Sequence, residues 1–367
     1  MNGRAAIFHG PEQPFELREF PLPPVKPDAI LVEVSMAGIC GSDLHIWRGE
    51  IPARFHVPAG HEMTGYVYEL GANIRTDSLG QPLHEGDRIA YAYFYPCRRC
   101  YVCLRGELAA CPNQMPQHQA GTSPYFTGAF ADFYYLRPNH WVYRVPDDLP
   151  DELVAPVNCA LSQVIYGLHK AGVRFGDTVV VQGAGGLGLN ATAVAREMGA
   201  DKVIAVDGIG SRLELARQFG ADETINITER DSPERRIAAV KDATAGRGAD
   251  VVCDFVGFPA VIPEGIEMLR NGGTYLEVGT ISTGVTATIE PSRMVFTSKR
   301  LIGIYHYDPW TIPTALDFLQ RTKEKYPFDR IVSHKFPLEE IDRAFSEAEW
   351  LNRANNPTAV TRAVIAW

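Results

Sequence analysis

The chain has 367 residues, of which 46% are hydrophobic and 22% charged, and its formal net charge is −9. This composition is typical of a globular protein and excludes a disordered, collagen-like or coiled-coil chain. The acidic balance argues against a nucleic-acid partner, because such partners are bound through a basic face. At about 150 residues per domain, the length predicts two domains or three.

The sequence contains no run of about 18 apolar residues that could cross a membrane. The first residues, Met1 to Pro14, lack the apolar segment of a signal peptide. We therefore expect a cytoplasmic protein with no membrane partner. In that reducing setting the seven cysteines are expected to stay free thiols that can bind metal.

The first 150 residues are rich in predicted strands, which prolines and glycines separate. The predicted strands are Ala29–Val34, Thr64–Leu70, Arg88–Phe94 and Trp141–Val145. From Asp151 to Gly172 the apolar periodicity predicts one helix.

A regular alternation of apolar strands and helices follows, which predicts a parallel sheet covered on both faces. The predicted strands are Thr178–Gln182, Lys202–Val206, Asp250–Phe255 and Thr274–Val278, and the predicted helices are Leu187–Met198, Ser211–Phe219, Pro233–Ala243 and Pro263–Leu269. Beyond about residue 303 the pattern loosens, with predicted helices at Thr311–Arg321 and Glu339–Trp350 and a last strand at Ala359–Ile365.

A dinucleotide fingerprint, G-x-G-x-x-G, links the first strand of this alternation to its helix. It reads Gly183-Ala184-Gly185-Gly186-Leu187-Gly188. Gly183 allows the tight turn, Gly185 allows the backbone to approach a pyrophosphate, and Gly188 allows the helix and the strand to pack closely. The unpaired N–H groups of the helix N-terminus would face the phosphates.

An acidic residue, Asp207, lies 19 residues after Gly188 at the end of the next strand. Its carboxylate can accept hydrogen bonds from a ribose 2′-hydroxyl and would repel a 2′-phosphate, which favours NAD over NADP. Arg212 either contacts the ribose or marks an exposed helix start. The alternative for the whole motif is a glycine-rich turn that binds no ligand.

Four cysteines crowd into fifteen residues, as Cys97-x2-Cys100-x2-Cys103-x7-Cys111. Four thiolates at this spacing can surround one tetrahedral Zn²⁺, and an all-cysteine site leaves no open position, so it is structural. Iron–sulfur ligation is the alternative, but ferredoxin motifs place the fourth cysteine closer. Four unligated thiols in one loop would be the remaining interpretation.

Other candidate ligands are dispersed along the chain: Cys40, His61 and Cys159. No spacing rule brings them together, and on composition alone each is more often a packed core residue than a ligand. Catalytic zinc sites do use three protein ligands and leave a fourth position for water or substrate, and two cysteines with one histidine form one such set.

The chain as a whole resembles the zinc-dependent medium-chain alcohol dehydrogenases, from end to end. The motifs that carry the resemblance occur in the family's order: Gly38–His45 (G-I-C-G-S-D-L-H), Gly60–Glu62 (G-H-E), Gly86–Arg88 (G-D-R), the four-cysteine lobe, Ala155–Cys159 (A-P-x-x-C) and the fingerprint. The resemblance implies an α/β architecture of two domains. A GroES-like, β-rich catalytic domain would comprise 1–160 and 303–367, with a structural zinc lobe at about 95–113, and a Rossmann NAD-binding domain with a doubly wound parallel sheet would comprise 161–302.

The resemblance also implies the roles of the site residues. It places a catalytic zinc on Cys40, His61 and Cys159, with Glu62 beside the metal. Ser42 and His45 would form a proton relay to solvent through the nicotinamide ribose, and Asp43 would orient His61. The cofactor contacts implied or predicted are Gly183, Gly185, Gly186, Leu187, Gly188, Asp207, Arg212, Val256, Val278 and Arg362.

Two positions depart from patterns in the family. Ala155 stands where the polyol-type branch usually has Glu, which favours Cys159 as the third ligand. Gly41 stands where many relatives carry Arg or His against the pyrophosphate, so Arg362 is either a phosphate contact or a surface arginine. Cys253 is expected to be a core residue.

The substrate pocket is assigned to Trp47, Tyr93 and Tyr125. The aromatic stretch from Tyr91 to Tyr95 either lines this pocket or fills the core of the β-rich domain. We expect a bulky, cyclic or aromatic alcohol, converted to an aldehyde or ketone with NAD⁺ and two zinc ions per chain. A polyol or amino-alcohol dehydrogenase is the alternative enzyme, a non-catalytic family member is the alternative class, and a homodimer or homotetramer is expected.

Overall fold

The computed structural model describes residues 1–114, 119–349 and 360–367. Its strands are β1 Asn2–Phe8, β2 Glu16–Pro21, β3 Ile30–Gly38, β4 Val57–Pro58, β5 Glu62–Leu70, β6 Arg88–Tyr91, β7 Phe133–Leu136, β8 Val142–Arg144, β9 Thr178–Gln182, β10 Lys202–Asp207, β11 Glu223–Asn226, β12 Ala249–Asp254, β13 Leu269–Glu277, β14 Arg300–Gly303, β15 His334–Phe336 and β16 Ala363–Ala366. Its α-helices are α1 Gly41–Trp47, α2 Tyr101–Leu104, α3 Asp151–Val154, α4 Ser162–Ala171, α5 Gly186–Glu197, α6 Gly210–Gln218, α7 Pro233–Ala243, α8 Val261–Met268, α9 Pro291–Thr297, α10 Thr311–Thr322 and α11 Ile341–Ala348.

The chain divides into two compact units, and the second interrupts the first. The first unit comprises Met1–Ser162, Asp308–Lys323 and Phe328–Trp367, and the second comprises Gln163–Tyr307 and Glu324–Pro327. Among the described residues, no helix is both long enough and apolar enough to cross a membrane.

The first unit is built around a sheet in the order β15-β16-β3-β5-β6-β8, with β7 also paired to β3, and a smaller sheet in the order β2-β1-β4. Strand β3 lies at the centre of the larger sheet and pairs antiparallel with β5, β7 and β16. Its apolar residues, such as Ile30 and Val32, are fully buried in a core that includes Met63, Ile89 and Phe345. This unit is the β-rich one of the two that the sequence predicts.

The second unit contains a six-stranded parallel sheet in the order β11-β10-β9-β12-β13-β14. This is the strand order of Rossmann dinucleotide-binding folds, and their ligand binds where the order reverses, outside the carboxyl ends of the first and fourth strands. Those strands are β9 and β12, and the glycine fingerprint follows β9 directly.

The long helix predicted from Asp151 to Gly172 is wrong as a single element. The structure instead has α3, then one π-helical turn at Val157–Leu161, then α4. Pro156 has no N–H to continue the helical ladder, and it precedes the wide turn. π-Turns inside helices are frequent at functional sites, and this one carries Cys159.

Other predicted elements differ mainly at their ends. Strand β6 ends at Tyr91 and not at Phe94, and α11 begins at Ile341 after a 3₁₀ turn at Leu338–Glu340. The predicted termini at Trp350 and Ala359 lie outside the described residues. The short strands β1, β2 and β4 were not predicted, because elements of two to seven residues carry little periodicity.

Candidate metal centres and cofactor site

Three strand ends of the first unit converge on one edge of its larger sheet. In the register of the sheet, Gly38 pairs with Glu62 of β5 and with Val364 of β16. Cys40 therefore follows the end of β3 beside His61, which precedes β5, and Arg362 precedes β16 at the same edge. Residues far apart in sequence meet here because of the pairing of these strands.

At this edge, ligand atoms of Cys40, His61, Glu62 and Cys159 all lie within 4.8 Å of one another. The two sulfurs of Cys40 and Cys159 are 3.9 Å apart. Two thiolates on a tetrahedral Zn²⁺ at about 2.3 Å would be separated by about 3.8 Å. The two cysteines and the histidine therefore fit a zinc ion and leave a fourth position.

Asp43 holds two of these candidate ligands. Its Oδ2 accepts a hydrogen bond from the Cys40 N–H at 2.9 Å, at the start of α1. Its Oδ1 lies 3.1 Å from Nδ1 of His61, which leaves Nε2 of that ring for the metal. Burial lowers the pKa of His61, but the Asp43 carboxylate and the Cys40 thiolate together outweigh that effect and raise the pKa well above its usual value.

The carboxyl group of Glu62 is fully buried behind the ligand cluster. Oε2 contacts Nη1 of Arg362, and Oε1 has no hydrogen-bond partner among the described residues. Burial raises the pKa of Glu62 to about 7. An unpartnered buried carboxylate oxygen beside two thiols and an imidazole fits a site that receives a cation.

Two hydrogen-bond donors that sequence reasoning missed fix the backbone at His61. Its carbonyl oxygen accepts from the Tyr91 hydroxyl at 2.8 Å and from Nδ2 of Asn158 at 3.0 Å. Asn158 lies on the π-helical turn directly before Cys159, so one side chain ties the third candidate ligand to the second. No sequence signal pointed to either donor.

Gly38 is a third missed position, and its role is steric. A Cβ atom there would overlap Oε2 of Glu62 and lie 3.2 Å from Nη1 of Arg362. The glycine in the G-I-C-G motif therefore makes room for the buried Glu62–Arg362 pair.

The predicted relay residues lie on or beside α1. Ser42 is half-buried in the first turn of the helix. His45 is buried, and its Nδ1 lies 2.5 Å from Oε2 of Glu50. Burial lowers the pKa of His45, and the Arg48 charge adds to that effect.

The aromatic residues predicted for the pocket lie in different places. The ring centroid of Tyr93 is 4.9 Å from that of His61, and Trp47 packs against Phe345. Tyr125 stacks on Phe20 at 5.1 Å, so the described contacts group it with Phe20 and not with His61.

The aromatic side chains of the 91–95 stretch lie in two different surroundings. Tyr91, Phe94 and Tyr95 are buried core residues, whereas Tyr93 is half-buried beside the candidate metal ligand.

The four-cysteine lobe lies between β6 and β7. All four sulfurs lie within 4.8 Å of one another. The Cys97–Cys111 and Cys100–Cys111 separations are 3.6 and 3.9 Å, close to the roughly 3.8 Å edge of a Zn–thiolate tetrahedron. The Cys111 sulfur also accepts backbone N–H groups from Cys97 and Asn113. These residues fit one zinc ion whose four coordination positions are all filled by thiolates, so none is open to a substrate.

The fingerprint turn of the second unit has the shape that its glycines allow. Gly183 has a φ of +92°, a conformation that favours glycine. A Cβ on Gly188 would overlap the Gly183 carbonyl, whereas one on Gly185 would meet no atom within 4 Å. Gly186 and Leu187 form the first turn of α5. The space in front of Gly185 suits the close approach of a phosphate.

Asp207 ends β10 against this turn. Its carboxylate accepts hydrogen bonds from the Ala184 N–H at 2.7 Å and the Ile209 N–H at 2.9 Å. Arg212 lies in the first turn of α6. These contacts fix the acidic side chain at the edge where a ribose would lie.

A second acidic pair, missed from the sequence, ends β12 and β13. Asp254 accepts from the N–H of Val256 at 2.7 Å and from the Thr280 hydroxyl at 3.1 Å. Glu277 accepts from the Thr280 N–H at 2.8 Å, directly before the buried Val278. Burial and the neighbouring Asp254 charge raise the pKa of Glu277 to about 8.

The comparisons with known proteins agree with this arrangement. An alcohol dehydrogenase GroES-like domain matches residues 26–147, and a zinc-binding dehydrogenase domain matches residues 186–321. The chain belongs to the zinc-dependent medium-chain alcohol dehydrogenase family, a family of oxidoreductases.

Among curated relatives, a 5-exo-hydroxycamphor dehydrogenase of Pseudomonas putida is 34% identical over 90% of this chain and 91% of its own length. An erythritol/L-threitol dehydrogenase of Mycolicibacterium smegmatis is 32% identical over 93% and 92%. The crystal structure of an alcohol dehydrogenase from Thermotoga maritima superposes with a TM-score of 0.90 at 28% identity, covering 100% of this chain and 99% of the other.

Proposed function

We propose that this protein is a zinc-dependent alcohol dehydrogenase that transfers hydride between an alcohol and NAD⁺ and gives an aldehyde or ketone. The observation that carries the proposal is the group of Cys40, His61 and Cys159, whose sulfurs and imidazole fit a zinc ion with a free position. Cys97, Cys100, Cys103 and Cys111 would hold a second, structural zinc.

When bound, the catalytic zinc makes the alcohol oxygen acidic and the nicotinamide ring accepts hydride. The residues of this chain supply positioning and proton transfer. With the cofactor bound, Ser42 would accept the hydroxyl proton of the alcohol, and His45 would take a proton on toward water through the nicotinamide ribose. Asp43 keeps the His61 ring oriented toward the metal, with Nδ1 occupied at 3.1 Å.

We propose NAD as the preferred cofactor because of Asp207. A carboxylate at this position favours a ribose with a free 2′-hydroxyl and repels a 2′-phosphate. Val256, Val278, Arg212 and Arg362 are retained as proposed cofactor contacts. Replacing Asp207 by Asn should reduce the ratio of kcat/KM for NAD⁺ over NADP⁺ about tenfold or more, and an unchanged ratio would refute this assignment.

We propose a bulky, cyclic or aromatic alcohol as the substrate. Tyr93 beside His61 offers apolar surface, and one relative acts on a hydroxycamphor by its name. Trp47 and Tyr125 stay proposed pocket residues. A polyol is the second candidate, because another relative of similar identity acts on erythritol and threitol by its name. Ala155, in the place of the usual glutamate, argues for the first.

Two measurements on the purified protein test the proposal. Metal analysis counts the zinc ions per chain, and the absorbance of NADH reports the oxidation of each alcohol in a panel with NAD⁺. Two zinc ions per chain and turnover of cyclic secondary alcohols are expected. Cys40→Ser should lose nearly all activity, and full activity in that variant would overturn the site assignment. Faster turnover of polyols than of cyclic alcohols would favour the second candidate.

A further inference from the structure

A cluster of largely buried charged side chains lies beside His45, next to Nδ1 of its ring. Oε2 of Glu50 lies 2.5 Å from Nδ1 of His45. Nε of Arg48 donates to Oε1 of Glu50 at 3.0 Å, and Nη1 of Arg48 donates to Oε1 of Glu349 at 2.8 Å. The side chains of Arg48 and Glu349 are only 7% and 8% exposed.

The turn after α1 places Glu50 over the histidine. Gly49 adopts a φ of +76°, which favours glycine, and its N–H donates to the Ile46 carbonyl. The chain therefore reverses at the helix end, and the Glu50 N–H donates to the His45 carbonyl at 2.9 Å. The sequence H-x-x-R-G-E thus encodes the contact locally.

The position of the carboxylate sets the tautomer of the ring. Nδ1 of His45 has two neighbours, Oε2 of Glu50 at 2.5 Å, which can only accept a hydrogen bond, and Nη2 of Arg48 at 3.2 Å, which can only donate one. The shorter contact is with the carboxylate, so it favours a proton on Nδ1 and a lone pair on Nε2. Arg48 donates to the same carboxylate oxygen at 3.2 Å, which keeps Glu50 ionised and in place. Hydrogen bonds from Arg48 and His45 lower the pKa of Glu50 against the opposing effect of burial.

The exposure of the two side chains differs in a way that matters for proton release. The His45 side chain is 5% exposed, whereas that of Glu50 is 28% exposed. A proton that reaches His45 has little direct access to water from the ring itself. Glu50 contacts both the ring and solvent.

We propose that Glu50 is a positioning residue that fixes the Nδ1–H tautomer of His45 and conducts the proton of the alcohol from that ring to water. This inference rests on the proposed function. In the forward direction the hydroxyl proton of the alcohol would pass to Ser42, and with the nicotinamide ribose bound the displaced proton of Ser42 would reach Nε2 of His45, so that both ring nitrogens carry a proton. The Nδ1 proton of His45 would then move to Oε2 of Glu50 and leave to water, and the ring would regain its Nδ1–H tautomer by proton exchange before the next turnover. One proton is released and one hydride goes to NAD⁺ for each alcohol oxidised, so atoms and electrons balance.

The experiment compares Glu50→Gln, Glu50→Asp and a matched control, Glu349→Gln, in the zinc-loaded enzyme. Glu349 contacts the same arginine through its Oε1, whereas Glu50 contacts the His45 ring itself. Among the described groups that face His45, the Glu50 charge raises its pKa, as does the Cys40 thiolate, whereas Arg48 lowers it. Removing the Glu50 charge should therefore move the acid limb of the kcat profile to lower pH, by at least half a unit.

Glu50→Gln should also lower the plateau kcat at least fivefold, and Glu50→Asp should restore part of both effects. Glu349→Gln should stay within twofold of the wild type with the same midpoint. Solid-state ¹⁵N NMR of histidine-labelled protein, assigned with His45→Gln, should show the Nδ1–H tautomer in the wild type and its loss in Glu50→Gln.

A Glu50→Gln variant with the wild-type midpoint and tautomer overturns the inference, even if its rate is lower, because a purely structural role would lower the rate alone. If the wild-type protein oxidises no alcohol, the proposed function fails. The NMR measurement still tests the positioning of His45 in that case.

Discussion

Asp43 contacts both Cys40 and His61, which are 21 residues apart in sequence, through its two carboxylate oxygens. The backbone N–H of the cysteine and the Nδ1 of the histidine are thereby held by one rigid helix start. A single side chain on α1 thus sets the direction from which two candidate ligands approach a metal.

Replacing Asp43 by Asn should weaken zinc binding at this site by about 10- to 100-fold, which is typical when a partner of a ligating histidine is lost. The amide oxygen of Asn is a neutral and weaker hydrogen-bond acceptor than a carboxylate, so it would hold the His61 ring less firmly. Competition with a chelator followed by zinc analysis measures the loss. Asp132→Asn, which breaks a contact with Arg4 elsewhere in the unit, is the control and should retain both zinc ions. Equal zinc affinity in the two variants would contradict the role of Asp43.

The four-cysteine lobe should contribute stability and not catalysis. Cys111→Ala removes one thiolate from a closed site, so we expect one zinc per chain and a melting temperature lower by several degrees. Cys253→Ala is the matched control, because Cys253 is a buried cysteine outside both clusters. It should keep two zinc ions. A Cys111→Ala protein with wild-type melting and zinc content would refute the structural assignment.

Two glycines of one motif should respond differently to a methyl group. Gly38→Ala places a Cβ against the Glu62–Arg362 pair and should cost about 1–3 kcal/mol of unfolding free energy, which is typical of overpacking. Gly41→Ala meets no atom within 4 Å and should change stability by less than about 0.5 kcal/mol. Urea unfolding of both proteins measures the difference. Equal costs would show that the Glu62–Arg362 pair is not sterically constrained.

The raised pKa of Glu277 should make stability depend on pH. The unfolded carboxyl loses its proton near its ordinary value of 4.5, whereas the folded one keeps it to about 8. Between these values the folded state binds more protons, so stability falls as the pH rises, by at most about 1.4 kcal/mol per pH unit.

Glu277→Gln removes this titration, so its stability relative to the wild type should be greater at pH 8 than at pH 5.5. Urea unfolding at the two pH values provides the measurement. Glu229→Gln, an exposed position in the same unit, should show no such trend. A constant difference between Glu277→Gln and the wild type would argue against the raised pKa of Glu277.

Much of the second unit follows from local patterns. The strand at Thr178–Gln182 and the helix at Pro233–Ala243 have the predicted bounds, because apolar strands and amphipathic helices each carry a strong period. The edge strand β14 was missed, since four residues show no clear alternation.

The first unit was harder to predict, because its strands pair with distant partners. The register of β3 and β5, and the π-helical turn that holds Cys159, depend on contacts that no local period encodes. The aromatic stretch illustrates this: the sequence could not separate Tyr93 beside His61 from Tyr91 in the core.

Local spacing along the chain was enough to identify the features whose partners lie within one loop or one turn. The four cysteines fall within fifteen residues, and the fingerprint glycines within six, so chain connectivity alone keeps each set together. The second cluster, by contrast, depends on contacts between distant parts of the chain. Cys40 and Cys159 are 119 residues apart, and Glu62 and Arg362 are 300 apart. Strand pairing and burial bring these groups together, because a long chain segment imposes no short distance between its ends.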